Sequence, residues 1–120
     1  MPRSLVVKVT CGADDAERLN QGFTVAAAAA VAGAEVSLWL TGDAAWFGTP
    51  GRAEAFELEL ATPLDQLMAA VLTSGTVTVC SQCAARRDIG AADLREGVTI
   101  AGAAVFAEQV LGDGVQALVY

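Results

Sequence analysis

The 120-residue chain contains no histidine, and that absence removes every catalytic arrangement built on imidazole. Neither a Ser-His-Asp nor a Cys-His pair can be assembled, so a nucleophile here must be activated by other means. Cysteine is scarce and odd in number, three in all, which argues against a disulfide framework and for thiols in a reducing, cytoplasmic setting. Three thiols without histidine also fall short of a zinc site, which takes four ligands, so no metal is expected. Charge is sparse at 18% of residues, and seven basic residues face fourteen acidic ones for a net charge of −7. With no basic run to neutralise phosphates, nucleic acid is excluded as a partner. The longest apolar stretch, Phe23 to Ala34, is mostly alanine and stops at Glu35, well short of the roughly 20 residues a bilayer span requires. Met1-Pro2-Arg3 leads straight into apolar sequence without the features of a signal peptide.

What is present is apolar. Hydrophobic residues make up 54% of the chain, rich for a small monomer, so part of the surface is expected to be covered by other subunits. The length suits one domain, residues 1–120. Ser4-Leu5-Val6-Val7-Lys8-Val9-Thr10 has the composition of a buried strand. A long helix is expected from Asp14 to Ala32, with Asp14 and Glu17 at its start and Gly33 after its end. Glu35 to Thr41 reads as a second strand. The segment "TGDAAWFGTPGR" reads as a loop, a candidate lid, that exposes Trp46 and Phe47.

Phe56, Leu58 and Leu60 alternate with Glu57 and Glu59, the pattern of a short half-solvated strand, with a helical turn as the alternative. Thr62-Pro63-Leu64-Asp65 reads as a helix start with a capping hydroxyl and proline at the first helical position, running to Ser74 before Gly75. Thr76 to Cys80 is a strand, Ala84 to Arg87 a short helix, Val98 to Leu111 largely helical, and Gln116 to Tyr120 a last strand. Strands alternating with helices predict a mostly parallel sheet of about five strands with helices on both sides.

In such a sheet the segments after the strands gather at one edge, and this brings Cys11, the Trp46-Phe47 segment and Cys80 to the same side of the molecule. The stretch "VTVCSQCAARRDIG" places Cys80 where a strand gives way to a helix, with Cys83 three residues on and Arg86 and Arg87 beyond. Two roles fit Cys80: a small apolar residue that fills a strand end, or a thiolate stabilised by helix-start N–H groups and nearby arginines. Cys83 has the spacing of a resolving thiol, or it packs on the sheet. A thioredoxin-like site is disfavoured, because Pro2, Pro50 and Pro63 all precede the cysteine pair. Cys11 is either part of the same site or a packing residue. Trp46 and Phe47 line a pocket or a subunit contact. Nucleotide binding is not expected, since the first strand-helix turn, Cys11-Gly12-Ala13-Asp14-Asp15, lacks the glycine pattern and would set two acids against a phosphate.

Taken together, "VTVCSQCAARRDIG", "GVTIAGAAVFAE" and the terminal "VQALVY" resemble the DsrE/DsrF-like sulfur-relay family, including its TusD-like and small uncharacterised DsrE-like members. The resemblance implies a three-layer α/β/α sandwich and assembly as a homo-oligomer, a trimer or hexamer, or as a hetero-oligomer. It implies sulfur carried as a persulfide on Cys80, with Arg86 and Arg87 in the place of the family's arginine pair. A sulfurtransferase of this kind needs no cofactor and exchanges sulfur with a protein donor and a protein acceptor. Asp88 stands where the family usually has glycine, which implies an altered turn and a partly offset positive field.

Overall fold

In the computed structural model, which describes residues 2–120, five strands form one all-parallel sheet in the order β4-β3-β2-β1-β5. The strands are β1 (Ser4–Val9), β2 (Glu35–Leu40), β3 (Thr76–Cys80), β4 (Val98–Ala101) and β5 (Gln116–Val119). The helices are α1 (Ala16–Val31), α2 (Arg52–Ala55), α3 (Leu64–Ser74), α4 (Ser81–Arg86) and α5 (Ala103–Val110).

Strand order decides which face each helix covers. The chain steps from β1 to β2, β3 and β4 in one direction, so right-handed crossovers lay α1 and α3 on one face. The return from β4 to β5 crosses three strands in the opposite direction, and the same handedness puts α5 on the other face. The expected three-layer α/β/α sandwich is the result.

The two faces differ in chemistry because side chains alternate along each strand. Val7, Val9, Leu38, Leu40, Val77 and Val79 point to the α1 and α3 side and are fully enclosed with Leu19, Phe23, Met68 and Val71. Each such Leu, Phe or Met contributes about 1.5–3 kcal/mol by leaving water. The opposite face carries the register row Val119, Lys8, Trp39, Thr78 and Thr99. The single short helix α5 covers it and buries none of its own residues. Four contacts dock α5. Phe106 meets Trp39 edge-on with ring centres 5.3 Å apart. Gln109 Oε1 accepts hydrogen bonds from Trp39 Nε1 at 2.9 Å and Ser37 Oγ at 2.8 Å. The Lys8 ammonium lies 4.9 Å from the centre of the Phe106 ring.

Several local expectations are corrected. Phe56 to Leu60 is no strand: only Phe56 packs inward, edge-on to Phe47 at 5.9 Å, and Leu60 is fully exposed with φ +63°. The fifth strand lies instead in the stretch expected to be helical, where β-branched Val98, Thr99 and Ile100 pair with β3 before Gly102 separates them from α5. The Trp46-Phe47 segment is not an exposed lid. Gly42–Gly48 is a 3₁₀ helix that buries Ala44, Ala45 and Phe47 against the core.

The first α-helix starts two residues later than expected, after a 3₁₀ turn at Ala13–Asp15, because Asp14 accepts the Gly12 N–H at 3.2 Å and so stabilises the turn rather than capping the helix. At α3, Pro63 is the flanking residue and the Thr62 hydroxyl makes no cap. No helix among the described residues is long and apolar enough to cross a membrane.

Candidate active site

Cys80 is the last residue of β3 and the residue immediately before α4. The switch from strand to helix without an intervening loop leaves the first N–H groups of α4 unpaired by the helix itself. Partial burial pushes the Cys80 thiol up. The backbone N–H of Cys83, the Cys83 thiol, the backbone N–H of Gln82 and the charge of Lys8 act against it and prevail, so the thiol lies below its ordinary value. No acidic residue stands in the first turn of α4 to undo the effect.

Cys83 lies on the core side of α4, where it packs against the main apolar cluster. Its sulfur accepts a hydrogen bond from the Gly42 N–H at 3.1 Å, so the end of β2 is tied to the helix after β3. Gly42 is held at φ +53°, and a Cβ there would lie 2.5 Å from the Thr10 carbonyl oxygen. Only glycine permits this approach. The three thiols are free and partly buried.

Arg87 is committed to structure. Its Nη2 reaches Asp43 Oδ1 at 2.7 Å, its Nε the same oxygen at 3.1 Å, and its Nη1 the Cys83 carbonyl at 3.1 Å. It clamps α4 to the 3₁₀ segment. Arg86 is exposed on α4. The cation that acts on Cys80 is Lys8, the sole lysine of the chain. Sequence alone does not single it out, because it stands as one residue of an apolar strand. Its signal is a lone charge within a strand of a parallel sheet, where both faces are normally covered. Asp88, after the arginines, has φ +57°. The turn therefore keeps the left-handed conformation that suits glycine, and aspartate is among the few other residues that adopt it.

Cys11 lies two residues beyond β1 at the same edge but belongs to a different environment. Its thiol points at the Asp15 carbonyl oxygen at 3.8 Å. Burial, Asp15 and Asp14 raise it, and Arg18 only partly compensates. Phe47 is in the core, and Trp46 lies under Arg52 with the guanidinium 4.5 Å from its ring centre. These three residues share the carboxyl edge without forming one pocket around Cys80. A cleft of about 350 Å³ lined by Val36, Ser37, Gly75, Thr76 and Gln109 opens at the opposite, amino-terminal end of the strands. Cys80 itself is partly exposed at the carboxyl edge. No group of three Cys, Asp or Glu side chains among the described residues is placed to hold a metal ion.

The fold recurs in solved structures. The ychN protein from E. coli superposes with a TM-score of 0.80 at 20% identity over 100% of both chains. MTH1491, a protein of unknown function from Methanobacterium thermoautotrophicum, gives 0.68 at 9% identity, also over 100% of both. BT1422 from Bacteroides thetaiotaomicron gives 0.65 at 15% identity, covering 98% of this chain and 95% of its own. At these identities the likeness is one of fold. No curated protein matches the sequence. The sequence profile of the DsrE/DsrF-like family matches residues 3–118. With that match spanning the sheet from β1 to β5 and the strand-end cysteine between them, the chain belongs to the DsrE/DsrF-like family.

Proposed function

We propose that the protein is a sulfur carrier that holds sulfur as a persulfide on Cys80 and passes it between protein thiols. The observation that carries this reading is a partly exposed strand-end thiol held below its ordinary value by helix-start N–H groups, a neighbouring thiol and a lysine. The general link of the DsrE/DsrF-like family to sulfur relay supports it. In the loading step the Cys80 thiolate attacks the outer sulfur of a donor persulfide. The donor S–S bond breaks, its electron pair leaves with the donor sulfur as a thiolate, and the outer sulfur with its proton makes Cys80 a persulfide. In the unloading step an acceptor thiolate attacks that outer sulfur and Cys80 departs as thiolate. A less basic thiol leaves faster, so the same lowering that ionises Cys80 aids its release. Sulfane sulfur moves without net oxidation, and no cofactor enters. Partial exposure suits the exchange, since two protein thiols must reach the same atom in turn.

The Cys83 thiol helps hold the Cys80 thiol below its ordinary value. It also offers a discharge route in which its thiolate attacks the inner sulfur, expels hydrosulfide and leaves a Cys80–Cys83 disulfide for an external dithiol to reduce. Arg86 is placed to attract an anionic donor surface, while Arg87 holds the α4 turn through Asp43. The exposed apolar side chains Val105, Leu111, Leu118 and Val119 on α5, on β5 and between them fit a homo-oligomeric interface, a trimer or hexamer, which light scattering on the eluting protein would measure. Three free thiols suit a reducing cytoplasm.

The direct test is to load the protein with a persulfide donor and map sulfane sulfur by mass spectrometry. Label on Cys80 is the expected result, and label that persists elsewhere in Cys80→Ser removes Cys80 from the mechanism. A second reading, thiol-disulfide exchange by Cys80 and Cys83, is favoured by the influence of the Cys83 thiol on Cys80. It predicts a reversible intramolecular disulfide and no retained sulfane sulfur.

A further inference from the structure

The α5 face of the sheet carries the cation that lowers the Cys80 thiol. Lys8 is the sole lysine in the chain, it is half-buried, and it has no ion-pair partner among the described residues, where the ion pairs are made by Arg18, Arg87 and Arg95. Its stem stands on the α5 face in the row Lys8, Trp39 and Thr78, and Cys80 is one same-face step further along β3. Two strand spacings and a two-residue rise separate the Cα atoms by about 12 Å on one face of the sheet. Phe106 of α5 meets the ammonium with its ring face, a contact that holds a cation without neutralising it.

We propose that Lys8 is a positioning residue for this site: Phe106 holds its ammonium on the α5 face as the counter-charge for the anionic sulfur of Cys80. This rests on the sulfur-carrier reading only for what the anion is used for. The charge balance itself holds for any thiolate or persulfide at that position.

Lys8 is the cation that lowers the Cys80 thiol, and the groups packed around it do not neutralise it. On α5 the titratable residue is Glu108, which is exposed and makes no ion pair among the described residues. The acid of β2, Glu35, is at the far end of its strand, and β4 and β5 carry none. On α4 the neighbours are Cys83 and exposed Arg86, and Asp43 of the 3₁₀ segment is bound to Arg87. Tyr120, after β5, turns its ring toward Gly22 of α1. The downward influence of Lys8 on the Cys80 thiol agrees with this placement.

The experiment tracks iodoacetamide alkylation of Cys80 against pH, peptide by peptide, in the wild type, Lys8→Met, Lys8→Arg and Phe106→Leu. Methionine keeps the apolar stem and removes the charge, so alkylation below the midpoint slows by about threefold and the midpoint moves up. Arginine restores the wild-type profile. Phe106→Leu gives a smaller shift in the same direction. The profile of Cys11, on the other face, stays put in all four proteins. Superimposable Cys80 profiles for wild type and Lys8→Met overturn the proposal, as does an equal shift in Lys8→Arg. Lys8→Gln repeats the neutralisation if the methionine variant does not fold, with Trp39 fluorescence reporting the native sheet face. Alkylation requires no sulfur donor, so a failure here is distinct from a failure of persulfide transfer.

Discussion

Cys80 ends one parallel strand and Cys11 lies two residues beyond the end of another, at the same edge of one sheet, and both are partly buried. Their thiols are nevertheless driven in opposite directions. Burial acts alike on the two, so the difference comes from the segment after each strand. After Cys80 the helix begins at once, its free N–H groups meet the sulfur, and its first turn holds no acid. After Cys11 the chain makes a 3₁₀ turn that carries Asp14 and Asp15, and the thiol points at a carbonyl oxygen. The side of the sheet matters as well. Cys80 shares its face with Lys8, whereas Cys11 packs against the apolar cluster under α1. A strand-end position in an α/β fold is therefore a location for chemistry, and the next few residues decide whether a thiol there is ionised.

The strongest test of this contrast is replacement of each sulfur in turn. Cys80→Ser should lower persulfide loading by about two orders of magnitude or more, because an alcohol is not ionised at neutral pH. Cys11→Ser should leave it unchanged in the same donor assay. A comparable loss from Cys11→Ser would erase the distinction. Next in size is the turn that supports Cys83. Gly42→Ala should destabilise the fold by about 1–3 kcal/mol, from the clash with the Thr10 carbonyl and the left-handed backbone. Chemical denaturation measures this, and an unchanged midpoint would show that the β2–α4 link is dispensable.

A pH series sharpens the contrast itself. Alkylation of Cys80 should reach half its maximum below an ordinary thiol and Cys11 above it, with the order read from labelled peptides. The sign for stability comes from linkage. A depressed acid adds stability above its unfolded value and loses it as pH falls through the folded one, so Cys80 favours the fold at alkaline pH. Cys11, raised instead, opposes it there. Gln82→Glu would then make the Cys80 turn resemble that of Cys11, with alkylation of Cys80 at neutral pH slower by about threefold. The smallest effect is expected at the end of α4. Asp88→Gly should change stability by less than about 1 kcal/mol, since glycine relieves the positive φ but loosens the unfolded chain. A thermal melt suffices to check it.

Most of the architecture is legible in the sequence because the relevant signals are local. Strand composition, glycine stops and the helical spacing of Leu19, Phe23 and Ala26 mark β1, α1 and β2 within a residue or two of their ends. Sequence patterning arrives at five strands with one wrong member: it takes in Phe56 to Leu60 and absorbs Val98–Ala101 into a helix. Four to five residues are too few for period alone to separate the two states. At the site, Cys80, Cys83 and the arginines stand out as a motif. Lys8, Phe106 and Gln109 do not, because each draws its role from a residue distant in the chain.

By itself the sequence determined a parallel α/β domain with a strand-end thiol at the start of a helix, since these depend on neighbouring residues, their propensities and their spacing. Tertiary structure alone decided which charge accompanies that thiol. Register and crossover handedness bring Lys8 of the first strand onto the face of Cys80, and they place α5 across it. Electrostatic influence depends on distance through space, and the chain order of a parallel sheet does not reveal which side chains stand side by side until the strands are paired.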